Sequence, residues 1–389
     1  MTDTLPTPRP GILDIAPYVG GESQAVVHPG LGRTARLASN ESALGASPRA
    51  IEAYRKLGDQ LHRYPDGASA DLRAALARLY GLNADRIVCG AGSDELISLL
   101  IRAYAGPGDR VVMSAHGFLM YAISARTAGA EVVKAPERDL RADVDALLAA
   151  VDERTRLVFL ANPNNPTGSY VAQEDVEKLQ AGLPPHVLLV LDAAYAEYMT
   201  ANDYTAGADL VDRCGNVVML RTFSKIYGLS ALRLGWAYCP AAIADVLNRV
   251  RGPFNVAAAA QVAGVAAVED IGFVDASRAH NDIWLPWTAK AIRALGIGVH
   301  PSVANFVLID FDGVAGTDGA PREAEEARLF LKARGILVRQ MGAYGLPTCL
   351  RVSIGQEDEM RATVAALEEF MTTRTGTAAL EAVAAPDGE

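Results

Sequence analysis

The stretch N-V-V-M-L-R-T-F-S-K-I-Y-G-L-S-A-L-R-L-G-W-A-Y-C, Asn216 to Cys239, decides how the rest of the chain is read. Its apolar run, Val217 to Leu220, reads as a buried strand that delivers Thr222, Ser224 and Lys225 to its C-terminal end, where open α/β sheets bind ligands. A lone lysine there would be an ordinary surface charge. The neighbours change that reading. Thr222 and Ser224 offer hydroxyls, Gly228 permits a tight turn, and Arg233 opens a second apolar run with a fixed cation suited to bidentate phosphate binding. Together they describe a reactive amine beside an anion site. A free lysine titrates near roughly 10.4, so it needs an electropositive or desolvated pocket to act as nucleophile and base at neutral pH.

The other apolar runs place that strand in a sheet. Arg86 to Cys89, Arg110 to Met113, Glu131 to Lys134, Arg156 to Ala161, Val187 to Asp192, Val217 to Phe223 and Arg233 to Cys239 give seven strands. Helical patterns alternate with several of them, as at Val144 to Val151 and Glu174 to Leu179. The expected fold is therefore α/β, with a mostly parallel sheet covered on both faces. Residues 60–275 are assigned to this large domain and residues 1–35, rich in Pro and Gly, to an N-terminal arm. Residues 36–59 and 276–371 are expected to form a smaller α+β domain. It contains helices at Trp284 to Leu295 and Glu323 to Arg334, with short strands at Asn305 to Asp310, Leu337-Val338 and Leu350 to Ser353. Ser47-Pro48 reads as the cap and first residue of a helix over Arg49 to Lys56. The small, polar tail 372–389 has little to bury and is expected to be disordered.

With 389 residues, the chain is long enough for one large and one smaller domain and for a sizeable core. Half of the residues are hydrophobic and 21% are charged, which is a globular composition. Lys and Arg number 36 against 46 Asp and Glu, a net charge of −10 that argues against nucleic-acid or anionic-membrane surfaces. The four cysteines are far apart and lack zinc spacing, so free buried thiols and no metal are expected. No signal-peptide core or bilayer-length apolar run is present, and a cytoplasmic location is expected.

The glycines of G-A-G-S-D-E-L, Gly90 to Leu96, invite a dinucleotide reading, but Glu95 stands where the fingerprint needs its third glycine. What remains is Gly92, Ser93 and Asp94 at a helix start whose amides suit a phosphate. N-P-N-N-P-T-G, Asn162 to Gly168, is by itself only a rigid turn. Asp192 ends an apolar run, where an acid commonly caps a helix; buried and ionised, it would need a cationic partner.

The order of these motifs resembles the fold type I pyridoxal-phosphate aminotransferases. The segments S-K-x-x-G-L-x-x-x-R-x-G, N-P-x-N-P-T-G and D-x-x-Y carry the likeness, the last lying 33 residues before Lys225. The resemblance spans about residues 8–370. It implies that Lys225 holds the cofactor as a Schiff base, and that Ser93, Thr222, Ser224 and Arg233 hold its phosphate with Gly92 and Asp94 in the cup. Asp192 would pair with the pyridine nitrogen, and Asn165 and Tyr195 would bond the phenolic oxygen. Phe118 is the best match for the ring stacked on the pyridine, with Tyr121 as the alternative; His116-Gly117 departs from the P-T of many relatives. Tyr64, in R-Y-P-D, would reach the phosphate of a neighbouring subunit, so a homodimer is implied.

Two further segments resemble histidinol-phosphate aminotransferases in particular: S-N-E-x-x-L-G-x-S-P around Asn40, and R-Q-M-G-A-Y-G-L-P-T-C-L-R-V-S-I-G from Arg339 to Gly355. That likeness implies that Asn40 faces the substrate and that Arg351 takes the carboxylate of glutamate or 2-oxoglutarate. Arg339, with Tyr18 from the arm, would take the phosphate of histidinol phosphate. The rival readings are an aromatic amino-acid aminotransferase and a lyase resembling threonine-phosphate decarboxylase. A cofactor-bearing regulator would need a DNA-binding module for which the chain has neither spare length nor a basic patch.

Overall fold

The structure is a computed structural model, and it describes residues 8–22 and 26–373. The expected disordered tail therefore lies almost wholly outside the described residues, as do residues 1–7 and 23–25 of the arm. The chain divides into two compact units.

The first unit comprises residues 8–19, Ala46–Asn165 and Ser169–Ile271. Its sheet has seven strands: β1 (Ile87–Gly90), β2 (Arg110–Ser114), β3 (Glu131–Ala135), β4 (Thr155–Ala161), β5 (Leu188–Asp192), β6 (Val217–Thr222) and β7 (Gly235–Tyr238). They lie in the order β1-β7-β6-β5-β4-β2-β3. β7 runs antiparallel to both its neighbours, and the other pairs are parallel. The central strands are apolar or nearly so because both their faces are covered, whereas the edge strand β3 keeps Glu131 and Lys134 exposed. Val111, Leu157, Val190, Val218 and Leu220 share one core cluster with Leu96, Leu100 and Tyr121 from helices on that face. Among the described residues, two ionisable side chains are buried in this sheet, Asp192 at the end of β5 and Arg221 on β6. Arg221 on β6 donates to Glu197 at 2.8 Å and to the Tyr80 hydroxyl at 3.2 Å, and its guanidinium lies 4.8 Å from the Tyr80 ring centre.

All seven strands match runs read from the sequence, within two residues at each end. The helices differ more. The helix expected from Leu96 begins at Ser93, because Gly92 adopts φ 83° and Asp94 and Glu95 occupy the first turn, where the helix dipole favours acids. The helix over Pro48–Arg55 has the expected cap, Ser47 accepting from the Ala50 amide. Its place corrects the expected division: residues 46–59 group with the first unit, because this helix packs on the Ala258–Glu269 helix of that unit.

The second unit comprises residues 20–22, 26–45, Pro166–Gly168 and 272–373. The expected 1–35 arm is thus divided between the two units near residue 20. A four-stranded antiparallel sheet runs β8 (Gly298–His300), β9 (Phe306–Asp310), β11 (Leu346–Ser353), β10 (Arg339–Met341) in space. Ala35–Arg36 pairs in parallel with Ile336–Leu337. Val307, Ile309, Leu350 and Val352 point to one face and form the core with Trp284, Phe330, Leu331 and Leu367 from helices. The helix expected to start at Trp284 extends back to Ile271 and runs through Pro286. Among the described residues, no helix is long and apolar enough to cross a membrane.

Candidate active site

Parallel pairing brings the C-terminal ends of β4, β5 and β6 to one edge, with Ala161 opposite Asp192 and Asp192 opposite Leu220. Asp192 is therefore the last residue of its strand, and it is 5% exposed. The Tyr121 hydroxyl donates to its Oδ2 at 2.6 Å, while Oδ1 is buried without a hydrogen-bond partner. Burial pushes the carboxyl up to about 6; the Tyr121 hydroxyl, the Ala194 amide and Lys225 pull it down, and Asp94 adds to the rise. A buried acceptor left bare is costly unless something cationic or donating meets it.

Lys225 follows β6 by three residues, half-buried, with its amine 5.8 Å from the centre of the buried Tyr195 ring. Gly228, at φ 66°, turns the chain back after it. Thr222 and Ser224 are buried, and the Thr222 hydroxyl accepts from the Ser224 amide at 3.1 Å. Arg233 stands in the left-handed region at φ 50°, a sparsely populated conformation for a side-chain-bearing residue. From there it donates to the Ser224 hydroxyl at 3.2 Å and to Asp94 at 3.0 Å. Close approach explains the glycines: a Cβ on Gly92 would lie 2.5 Å from the Arg233 guanidinium, and one on Gly235 2.4 Å from the Ser93 amide nitrogen. Ser93, Thr222, Ser224 and Arg233 thus gather around the start of the Ser93–Tyr104 helix as a cup for an anion.

The Asn162–Gly168 turn contains a cis Asn162-Pro163 bond. It is held by the Asn162 side chain, which donates to Val171 O and accepts from Val171 N, both at 2.9 Å. Asn165 follows, half-buried. Phe118 caps the Leu119–Ala128 helix and is half-buried, its ring edge-on to Tyr121 at 5.7 Å. Tyr121 stacks instead on Phe159 at 4.5 Å and is wholly buried, so the alternative role of an open stacking ring does not suit it. Tyr64 is 82% exposed and stacks on Phe254 at 4.6 Å. Tyr18 is half-exposed.

In the second unit, Arg339 lies directly opposite Arg351 across β10 and β11. Like charges so placed repel, an arrangement that an anionic ligand would relieve. Arg351 is buried, donates to Ala38 O at 2.9 Å and lies 5.4 Å from the Phe306 ring centre. Asn40, at φ 54°, is fully buried, and its side-chain oxygen accepts from Ser353 at 3.1 Å. His300, Asp310 and Cys349 form a group whose potential ligand atoms lie within 4.8 Å. Asp310 already accepts from the Asp312 amide and pairs with His300, and burial pushes the Cys349 thiol up to about 12. All four cysteines are free, with Cys214 half-buried and the others buried.

Two contributors escaped the sequence reading. Glu95 accepts from the Ala91 amide at 2.6 Å and from Asn255 at 2.7 Å, bracing the glycine turn. The acid that spoils a dinucleotide fingerprint is what ties this turn down. The Tyr121 hydroxyl on Asp192 is the second, and only its place near the expected helix start hinted at it.

A bare buried carboxylate oxygen, an amine near an aromatic ring and a cup of hydroxyls, amides and a guanidinium suit a cationic heterocycle that carries an aldehyde and a phosphate. The residues present therefore fit pyridoxal phosphate. Comparisons with known proteins agree in class. The family model described as aminotransferase class I and II matches residues 34–367. The chain is 61% identical to a histidinol-phosphate aminotransferase of Rhodospirillum centenum, over 94% of this chain and 99% of the relative. It is 56% identical to one of Paramagnetospirillum magneticum, over 95% and 99%. Its fold matches the crystal structure of a histidinol-phosphate aminotransferase from Sinorhizobium meliloti in complex with pyridoxal 5'-phosphate. The TM-score is 0.83 at 30% identity, covering 95% of this chain and 99% of that one. The chain therefore belongs to the class I and II aminotransferase family, with the fold type I architecture, and within it to the histidinol-phosphate aminotransferases.

Proposed function

We propose that this protein is a cytoplasmic, homodimeric enzyme that uses pyridoxal phosphate to exchange an amino group between histidinol phosphate and 2-oxoglutarate, in histidine biosynthesis. The observation that carries the reading is the full-length identity to relatives of that one name. The site chemistry supports it. Bound in the first unit, the cofactor would supply an aldehyde to take up the amino group and a ring able to accept electrons. Lys225 would anchor it and, once displaced by the substrate amine, hold and move the proton at the substrate Cα. Asp192, through its bare Oδ1, would keep the ring nitrogen protonated. Asn165 and Tyr195 would donate to the phenolic oxygen, and Phe118 would stack on the ring. Gly92, Ser93, Asp94, Thr222, Ser224 and Arg233 would form the phosphate cup, with Tyr64 arriving from a second copy.

In the second unit, Arg351 would take the carboxylate of glutamate or 2-oxoglutarate. Arg339 would take the substrate phosphate and Asn40 would face the substrate; Tyr18, which groups with the first unit, is the further residue proposed for that phosphate. A planar guanidinium suits both anions. The deciding experiment is an assay of purified protein with histidinol phosphate and 2-oxoglutarate, followed by glutamate formation, with phenylalanine as competing donor. Glutamate formed preferentially from histidinol phosphate supports the reading. A preference for phenylalanine would assign the aromatic aminotransferase reaction instead, and consumption of the phosphorylated amine without glutamate would assign a lyase.

A further inference from the structure

The Asp192 carboxylate is engaged unequally. Oδ2 receives the Tyr121 hydroxyl at 2.6 Å, a short, charge-assisted geometry, and Oδ1 is buried with no partner. The donor has little freedom. Its ring is wholly buried, stacked on Phe159 at 4.5 Å and met edge-on by Phe118 at 5.7 Å, while Phe159 lies on β4, directly beside β5. We propose that Tyr121 is a positioning residue that fixes the rotation of the Asp192 carboxylate, so that Oδ1 alone is presented to a cationic ring nitrogen. This rests on the cofactor reading above.

The hydroxyl also has an electrostatic role. Burial and the charge of Asp94, on the Ser93–Tyr104 helix, favour the neutral acid, and Lys225 and the Ala194 amide favour the carboxylate alongside Tyr121. Removing the hydroxyl takes away the first of the stabilising contributions and frees the carboxylate to turn. An ordinary core tyrosine, by contrast, would matter through its ring.

Tyr121→Phe separates the two, because it keeps the ring and deletes only the donor. In the cofactor-free protein, the loss of stability on Tyr121→Phe is expected to be larger at pH 8, where Asp192 is ionised, than at pH 4.5, where it is protonated. In an Asp192→Asn background that pH dependence should vanish. In the loaded enzyme, the dissociation constant for pyridoxal phosphate should rise and kcat fall, each about tenfold, with the KM for glutamate little changed. A stability loss equal at both pH values, or identical in both backgrounds, overturns the inference, as does unchanged cofactor affinity. Should Tyr121→Phe fail to fold, 3-fluorotyrosine at position 121 keeps ring and hydroxyl and changes only donor acidity. A cofactor dissociation constant equal to wild type across pH 6 to 8 would then overturn it. Wild-type protein that binds no pyridoxal phosphate would instead sink the cofactor reading, a result distinguishable from any behaviour of the variants.

Discussion

Single side chains carry the sharpest expectations. Lys225→Ala should abolish transamination while leaving the chain folded, since the residue is half-buried and contributes little to the core. Borohydride reduction followed by peptide mass analysis should find the cofactor on Lys225 in wild type; a wild-type adduct elsewhere would remove its role. Asp192 gives a pH-dependent expectation. Its folded-state carboxyl titrates near 6 without cofactor, against an ordinary value of 3.8, so the folded chain holds a proton the unfolded chain has released between those values. Stability from this group is present below pH 3.8 and lost as pH rises through 6. Cofactor-free Asp192→Asn should therefore be more stable than wild type at pH 8 by up to about 3 kcal/mol, converging with it near pH 4. Urea unfolding at the two pH values measures this, and an equal difference at both would show that burial of the charge is not the cause. In the loaded enzyme the same change should lower turnover more than cofactor occupancy, because the ion pair matters most when the ring takes up electrons.

Where elements meet, backbone spacing and strand register set the outcome. β7 crosses the start of the Ser93–Tyr104 helix so closely that a Cβ at Gly235 would stand 2.4 Å from the Ser93 nitrogen and 2.7 Å from the Gly92 carbonyl carbon. Gly235→Ala should cost about 1 to 3 kcal/mol of stability, the scale of overpacking, and should weaken inorganic phosphate binding, because the cup must open. Unchanged phosphate affinity in a destabilised variant would separate the crossing from the cup. The facing arginines of β10 and β11 make a second pair of expectations. Arg339→Ala should raise the KM for histidinol phosphate by an amount equivalent to roughly 2 to 5 kcal/mol, leaving the glutamate half-reaction nearly intact. Arg351→Ala should impair glutamate. If both substrates suffer equally in Arg339→Ala, the division of roles between the two arginines fails.

The proposed homodimer is tested through Tyr64, whose ring is exposed. Mixing inactive Tyr64→Ala chains with inactive Lys225→Ala chains should restore part of the activity, since one hybrid site carries both native residues. No recovery, under conditions where subunits exchange, would mean that the loop serves its own chain. Much of this molecule was legible before its structure. The apolar runs that became β1 to β7 owe their clarity to a sheet buried on both faces, and the motifs at their ends are local in sequence. The places of Lys225 after β6, Arg233 before β7 and the Asn162–Gly168 turn after β4 could be read for that reason, and a local pattern also revealed the Ser47 cap. Tertiary packing alone decided the rest. Asp192 receives its donor from Tyr121, 71 residues away, and Glu95 meets Asn255 across 160 residues. The Arg339 to Arg351 facing depends on register, and the Pro48–Arg55 helix joins the first unit because of the distant helix it packs against. Periodicity and turn chemistry are written into neighbouring residues, whereas these partnerships arise only when remote segments are brought into van der Waals contact.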